Sequence, residues 1–153
     1  MSTRAPGGRG REDHTSTNPG ESAVPEQGVI RVLLCDDVPE FRTLMRLALK
    51  DEPGLEVVGE AGDGASCIAK VARLRPDVVL LDLSMPSIDG IQVIRSLRRH
   101  SAECAIVVLS GLAASRMRAR AIEAGADSYL EKGASFEEIQ KTVHTSVRTR
   151  RGR

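Results

Sequence analysis

The chain has 153 residues and is 41% hydrophobic, enough for one domain with a buried core and too short for two domains of ordinary size. Its net charge of +1 and its 2% of aromatic residues argue against a strong attraction to nucleic acid and against stacking platforms for single strands. Three cysteines without CxxC or Cys/His spacing argue against a disulfide framework or a zinc site. We therefore expect Cys35, Cys67 and Cys104 to be buried free thiols in a reducing cytosol.

The two ends of the chain differ in composition from its middle. Residues 1–28 have few apolar residues and no periodicity, so we predict a disordered extension without the apolar core of a signal peptide. Residues 149–153, within "RTRRGR", are predicted to form a solvated, disordered basic tail. No apolar run is long enough to span a bilayer. We therefore expect a cytoplasmic protein with one domain over residues 29–148.

Between these ends, short apolar runs alternate with amphipathic segments. In chain order, the predicted elements are a strand at 29–34 ("VIRVLL"), a helix at 39–50, a strand at 55–60 ("LEVVGE"), a helix at 62–75, a strand at 77–83 ("DVVLLDL"), a helix at 91–100, a strand at 104–111 ("CAIVVLSG"), a helix at 115–125, a strand at 126–132 ("ADSYLEK") and a last helix reaching Val147.

Several helix ends have recognisable signals. Pro39 favours a helix start just after Asp36 and Asp37, Gly125 favours a helix end, and Ser135 with Glu138 fits a capping box. The predicted core-facing residues of the first, second and last helices are Phe41, Leu44, Met45 and Ala48; Ile68, Val71, Ala72 and Leu74; and Phe136, Ile139, Val143 and Val147.

Five strands alternating with five helices predict an α/β fold. Strands joined by helices pair in parallel through right-handed crossovers. The first, third and fourth strands are the most continuously apolar, as expected for central strands covered on both faces. The pattern therefore predicts a doubly wound parallel sheet with helices on both sides.

Polar residues follow four of these strands where each strand ends. Asp36 and Asp37 follow the first strand, and Asp82, Ser110 and Lys132 lie at the ends of the third, fourth and fifth. Ligands of open α/β sheets bind beyond the carboxyl ends of the strands. We therefore expect three carboxylates, one hydroxyl and one amine to converge there.

Three neighbouring carboxylates need positive charge to offset their repulsion. At about 5 Å and an effective dielectric near 20, each like-charge pair costs roughly 3 kcal/mol. Lys132 supplies one charge, and Mg²⁺ suits an all-oxygen site with few protein ligands. A metal, a lysine and a carboxylate nucleophile together favour phosphoryl transfer. No GxxxxGK[ST], GxGxxG or GxSxG motif is present, which argues against the nucleotide-binding and hydrolase sites that those motifs mark.

Four motifs, "LLCDD", "LLDLSMPSIDG", "VVLS" and "YLEKGAS", lie at the ends of predicted strands in this order. In these motifs and their order, the sequence resembles the response-regulator receiver domain of two-component signalling, and the resemblance covers about residues 29–148. The forms "MPSIDG" and "EKGAS" look most similar to receivers that carry a LuxR-type DNA-binding domain. The resemblance implies a flavodoxin-like sheet in the order 2-1-3-4-5.

The resemblance also implies roles for individual residues, each at the position matching the family's motif. Asp82 would be the phospho-acceptor, while Ser110 and Lys132 would contact the phosphoryl group. Tyr129 would be a switch residue whose rotamer follows Ser110, although a half-buried strand tyrosine is an alternative. The implied output surface is the fourth helix, fifth strand and fifth helix, roughly residues 115–148. The implied Mg²⁺ ligands are Asp36, Asp37, Asp82 and the backbone carbonyl of Ser84.

Three positions depart from the family's common pattern. Gly133 stands where many receivers have a proline in a cis bond, so this loop is expected to be more mobile. Ser84 and Leu112, two residues past Asp82 and Ser110, occupy positions that influence dephosphorylation in the family. An apolar Leu112 could hinder an attacking water, which predicts a fairly long-lived phosphoryl group.

The leading hypothesis is a stand-alone receiver, because only "RTRRGR" follows Val147. It would take a phosphoryl group from a sensor histidine kinase or a histidine phosphotransfer protein. It would then bind a target protein or dimerise, with no nucleic-acid or membrane contact and no external substrate, so it would not be an enzyme. A receiver that acts by heterodimerising with a DNA-binding relative stays open, as does one that only makes protein contacts. A Mg²⁺-dependent aspartyl phosphatase is disfavoured, because Ser84 stands where such enzymes usually have a second aspartate.

Overall fold

A computed structural model describes Thr3 and residues 28–153 of the chain. The extension predicted over residues 1–28 therefore lies, apart from Thr3 and Gly28, outside the described residues. The elements are β1 (Ile30–Cys35), α1 (Pro39–Lys50), β2 (Leu55–Ala61), α2 (Gly64–Leu74), β3 (Val78–Leu81), α3 (Gly90–His100), β4 (Ala105–Ser110), α4 (Ala114–Ala124), β5 (Ser128–Glu131) and α5 (Phe136–Arg151). The predicted alternation is confirmed, with boundaries shifted by one or two residues except at the end of α5.

The five strands form one parallel sheet in the order β2-β1-β3-β4-β5. This confirms the predicted doubly wound sheet and the flavodoxin-like order. The strand order reverses between β1 and β3, which is where such sheets bind ligands. Cys35 pairs with Leu81, and Leu81 pairs with Val108, so the carboxyl ends of the three central strands lie side by side.

Successive residues of the central strands point alternately into two hydrophobic cores, one on each face of the sheet. Leu33 and Leu81 point into the core under α2, α3 and α4, whereas Leu34 and Leu80 point into the core under α1 and α5. Fully burying a side chain of this kind contributes about 1.5–3 kcal/mol, before the entropic cost of ordering it. Both faces are therefore covered, as the continuous apolar runs predicted.

Three residues predicted to face the core do not. Leu44 and Phe136 are 42% and 44% exposed, and Ala72 is also exposed. On α1 the buried stripe is Met45, Ala48 and Leu49, which leaves Leu44 on its flank. Phe136 is the first residue of α5, and the buried residues of this helix begin one turn later, at Ile139. A residue at the border of the apolar face of a helix can face either the core or the solvent, and the sequence pattern does not distinguish the two.

The end of α5 also differs from the prediction of a disordered tail at residues 149–153. The helix continues through Arg151 because two arginines in its last turn reach acids at the amino ends of the strands. Arg150 lies 2.5 Å from Asp127, and Arg151 lies 3.3 Å from Asp77. These ion pairs hold the last turn of α5 against the sheet.

Asp127 is the centre of this arrangement. Its carboxylate is almost fully buried, and it also accepts hydrogen bonds from Arg98 at 3.0 Å and from the backbone N–H of Ile106 at 2.8 Å. A buried acid with two guanidinium partners and a backbone donor is fully compensated. It joins α3, β4 and α5 just before β5 begins.

Two further predictions about side chains are confirmed in the described part of the chain. Cys35, Cys67 and Cys104 are buried free thiols, which confirms that prediction. Ser135 caps α5, since its side chain accepts a hydrogen bond from the backbone N–H of Glu138 at 3.1 Å. Among the residues that the structure describes, no helix is long and apolar enough to cross a membrane.

Candidate functional site

The candidate site lies at the carboxyl edge of the sheet, where four strands end. Asp36 directly follows β1, and Asp82 directly follows β3. Ser110 is the last residue of β4 and pairs with Glu131, the last residue of β5, so that Lys132 follows at the same level. The backbone N–H of Lys132 donates to the carbonyl of Ser110 at 2.8 Å, which fixes these two ends together.

The two aspartates at the centre of the edge are buried. Asp36 is 4% exposed and Asp82 is 2% exposed, whereas the neighbouring Asp37 is exposed. One oxygen of each buried carboxylate accepts a backbone hydrogen bond two residues on, Asp36 from Val38 at 2.8 Å and Asp82 from Ser84 at 3.1 Å. These local bonds orient both carboxylates and leave the second oxygen of each directed at other groups.

Lys132 supplies the positive charge at this edge. Its ammonium nitrogen lies 2.8 Å from Asp36 Oδ2 and 3.5 Å from Asp82 Oδ2. The same nitrogen lies 4.4 Å from the centre of the Phe41 ring, a cation–π arrangement. The lysine is therefore held between α1 and the two strand ends.

The pKa values of Asp82 and Lys132 follow from this environment. Burial raises the pKa of Asp82; the Ser84 hydrogen bond and the charge of Lys132 oppose the shift, and the charge of Asp36 adds to it. Burial acts to lower the pKa of Lys132, but its hydrogen bond to Asp36 and the charge of Asp82 outweigh burial, so this pKa is raised. The site therefore favours a charged lysine beside a carboxylate that is costly to ionise.

The residues present fit a divalent cation. Asp36, Asp37 and Asp82 each offer an oxygen, and these oxygens lie within 4.8 Å of one another. Asp36 Oδ2 is buried, and its partner among the described residues is the ammonium of Lys132 at 2.8 Å. Three carboxylates facing one amine leave net negative charge that an oxygen-preferring cation such as Mg²⁺ would neutralise.

Ser110 and Tyr129 lie next to this cluster and are joined through one loop residue. Ser110 is fully buried, and its Oγ accepts a hydrogen bond from the backbone N–H of Leu112 at 3.1 Å. Tyr129 is 3% exposed, and its hydroxyl donates to the carbonyl of Leu112 at 2.7 Å. Burial raises the pKa of Tyr129, which keeps its hydroxyl protonated as a donor. Tyr129 lies in β5 and is more buried than that alternative assumed, and its role as a switch residue stays a prediction.

The side chains of Asp36, Asp37, Asp82, Ser110 and Lys132 lie at the same edge of the sheet, and the predicted role of the Ser84 backbone carbonyl stays a prediction. Ser84 is exposed and joins the site through its backbone N–H, while Leu112 is 41% exposed beside Ser110. No cis peptide bond occurs among the described residues, the bond before Gly133 included.

Sequence reasoning missed two residues that shape the site. Phe41 was expected only in the core, yet its ring faces Lys132. Arg42 donates to the backbone carbonyl of Asp36 at 2.6 Å and so stabilises the turn that contains Asp36 and Asp37. Both lie in the first turns of the helix that follows the acidic pair. Because they lie so close in sequence to Asp36 and Asp37, a role at the site could have been predicted for them.

Comparison with known proteins identifies the family. A family model described as "Response regulator receiver domain" matches residues 32–144. The nitrate/nitrite response regulator NarP of Escherichia coli K12 is 38% identical over 125 residues, which cover 82% of this chain and 58% of that protein. The chain spans a little over half the length of the curated relatives it matches.

Solved structures agree with this assignment. A LuxR-family two-component response regulator from Aurantimonas superposes with a TM-score of 0.76 at 28% identity, covering 80% of this chain and 87% of that one. The receiver domain of the response regulator NarL from Mycobacterium tuberculosis gives a TM-score of 0.71 at 31% identity, covering 82% of this chain and 98% of that one. Both similarities extend over the sheet and the helices that flank it.

Proposed function

Because this chain belongs to the response regulator receiver domain family, we propose that it is a phosphorylation-switched signalling module whose acceptor is Asp82. The observation that carries the proposal is the position of Asp82. Its buried carboxylate lies at the end of β3, has one oxygen 3.5 Å from the Lys132 ammonium, and shares the edge with two other carboxylates. A carboxylate held in this way serves as a nucleophile toward phosphorus.

In the proposed step, a carboxylate oxygen of Asp82 attacks the phosphorus atom of a phosphohistidine. An O–P bond forms, the P–N bond breaks, and the imidazole leaves. The hydrogen bond from Ser84 keeps Asp82 in one orientation, while Lys132 is placed to pair with the incoming phosphoryl oxygens. The donor would be a sensor histidine kinase or a histidine phosphotransfer protein. No external substrate is turned over, so the module would not be an enzyme in the ordinary sense.

Mg²⁺ would be held by Asp36, Asp37, one oxygen of Asp82 and the backbone carbonyl of Ser84. When bound, it would neutralise the negative charge that collects on the phosphoryl oxygens. The chain's own contribution is to keep Asp36 and Asp82 buried and oriented by backbone hydrogen bonds. The carboxylate oxygens of Asp36, Asp37 and Asp82, which lie within 4.8 Å of one another, support this ligand set.

The proposed output runs from Ser110 to the surface of α4, β5 and α5. Movement of Ser110 toward a phosphoryl group would take its Oγ away from the N–H of Leu112. The same loop is tied to β5 twice, through Tyr129 to the carbonyl of Leu112 and through Glu131 to the N–H of Ala114 at the start of α4. A shift at Ser110 would therefore change how α4 meets β5, and a partner protein would read that change. The expectation of a stand-alone protein stays a prediction.

The test is intact mass after incubation with a small acyl phosphate and Mg²⁺. We expect the wild type to gain one phosphoryl group that hydroxylamine removes, and Asp82→Asn or EDTA-treated protein to gain none. Asp51→Asn, which changes an exposed aspartate at the end of α1, is the matched control and should be modified like the wild type. Modification of Asp82→Asn, or none of the wild type with the donor or with candidate kinases, would overturn the proposal.

The predicted long lifetime of the phosphoryl group rests on Leu112, whose apolar side chain lies two residues past Ser110. We expect release of phosphate to be slower in the wild type than in Leu112→Asn, because a polar side chain there can hold the attacking water. Release from the wild type within seconds would contradict this part of the proposal.

A further inference from the structure

The structure places two of the three cysteines in direct contact beside the candidate site. The Sγ atoms of Cys35 and Cys67 lie 2.7 Å apart. Cys35 is the last residue of β1, and Cys67 lies in the first half of α2. Both side chains are buried, at 1% and 0% exposure. Neither thiol has a part in the phosphoryl chemistry proposed above.

We infer that Cys35 and Cys67 form an intramolecular disulfide site, closed by a peroxide and opened by a thiol reductant. A disulfide needs an S–S distance of about 2.05 Å, so the sulfurs must approach by well under 1 Å. Pairs that cannot be bridged are those whose side chains diverge, whereas these two thiols already point at each other. The inference does not depend on the acceptor role of Asp82.

The chemistry uses one peroxide molecule. One thiol attacks the O–O bond, giving a sulfenic acid and releasing water. The second thiol then attacks the sulfenic sulfur, which forms the S–S bond and releases a second water. Two thiols are oxidised and one peroxide is reduced. A sulfenic acid with a neighbouring thiol condenses to a disulfide, whereas an isolated one does not, so adjacency decides the product.

The chain contains its own control in Cys104. This thiol is also buried and free, but its Sγ donates to the carbonyl of Ala105 at 3.4 Å rather than to another sulfur. A reaction that depended only on burial or on thiol chemistry would treat all three cysteines alike. A reaction that depends on the contact between Cys35 and Cys67 spares Cys104.

The closed form would join the end of β1 to α2. The backbone at this end of β1 is already bonded on both sides, with the N–H of Asp36 donating to Ala61 and the carbonyl of Cys35 accepting from Asp82. The disulfide would therefore attach α2 to the end of β1, directly before the turn at Asp36 and Asp37. Because both sulfurs are buried, peroxide reaches them when α2 opens locally, and sub-denaturing urea should speed the reaction.

The experiment counts free thiols under denaturing conditions after incubating the full chain with hydrogen peroxide, with and without urea below the unfolding transition. We expect the count to fall from three to one, the mass to drop by two hydrogens, and peptide mapping to join Cys35 to Cys67. Dithiothreitol should restore all three thiols. Cys104→Ala should keep the cross-link, and Cys67→Ala should lose it while keeping its folded circular-dichroism spectrum.

Three outcomes would overturn the inference. One is the persistence of three thiols with urea present. The second is a cross-link that includes Cys104, and the third is an equal loss of thiols in Cys67→Ala and the wild type. If Cys67→Ala proves unfolded, Cys67→Ser and the mapping of the wild-type product decide the matter by themselves.

Discussion

Asp82 offers the sharpest test of the electrostatics, because its carboxylate is buried among like charges. The carboxylate oxygens of Asp82 and Asp36 lie no more than 4.8 Å apart, so at an effective dielectric of 20 their repulsion costs about 3.5 kcal/mol or more, with a smaller, screened cost from the exposed Asp37. Attraction to Lys132 at 3.5 Å contributes about 5 kcal/mol. These pair energies nearly cancel, so the burial of the carboxylate decides the balance. We expect Asp82→Asn to stabilise the metal-free protein at pH 7 by about 1–2 kcal/mol.

The pH dependence follows from the raised pKa of Asp82. A carboxyl group whose pKa is higher in the folded than in the unfolded protein favours folding while it is protonated. That contribution is lost as the pH rises through the raised pKa. The advantage of Asp82→Asn should therefore be largest at neutral pH and should disappear at a pH below the ordinary aspartate value of 3.8.

The assay is urea unfolding followed by circular dichroism, at several pH values and with and without Mg²⁺. A stabilisation of 1–2 kcal/mol moves the midpoint by about 0.5–1 M urea. Mg²⁺ at ten times its dissociation constant should stabilise the wild type by about 1.4 kcal/mol, and Asp82→Asn by less. Asp51→Asn should change neither the urea midpoint nor the stabilisation by Mg²⁺. An Asp82→Asn variant that is less stable than the wild type at pH 7, or whose advantage is the same at all pH values, would refute the reasoning.

Four further substitutions test other parts of the structure. Lys132→Met leaves the carboxylates uncompensated and should cost about 1–3 kcal/mol, with Mg²⁺ restoring part of it in the same urea assay. Asp127→Asn removes a buried charge that two arginines share and should cost about 3 kcal/mol, measured by thermal melting at two salt concentrations. Gly90→Ala would place a Cβ 2.6 Å from the backbone of Leu83 and should cost about 2 kcal/mol or more, whereas Gly133→Ala meets nothing within 4 Å and should be neutral. Equal melting temperatures for these two glycine variants would contradict the close approach.

The sheet and the position of the site follow from the sequence for a clear physical reason. The apolar runs ending at Cys35 and Leu81 must be covered on both faces, and only a parallel sheet with helices on each side does this. Parallel strands all end at one edge, so an acid after each run falls at the same place. The sequence alone therefore predicts that the aspartates and Lys132 lie close together.

What the sequence could not predict depends on contacts between distant segments. Arg150 looked like a residue of a solvated tail, because its partner Asp127 lies 23 residues earlier in the chain. Leu44 is apolar like a core residue, but the buried face of α1 is formed by Met45, Ala48 and Leu49, so Leu44 is exposed. The contact between Cys35 and Cys67 depends on the register of α2 against β1, and spacing along the chain does not encode it.

The two edges of the sheet deal with charge in opposite ways. At the amino edge, the buried carboxylate of Asp127 has two arginine partners. At the carboxyl edge, three carboxylates face one lysine, so the native state carries electrostatic frustration. The uncompensated negative charge therefore lies at the carboxyl edge, where a ligand or a modification could relieve the repulsion. An engineer could retune the acidic edge by changing its charges while the opposite edge keeps the scaffold folded.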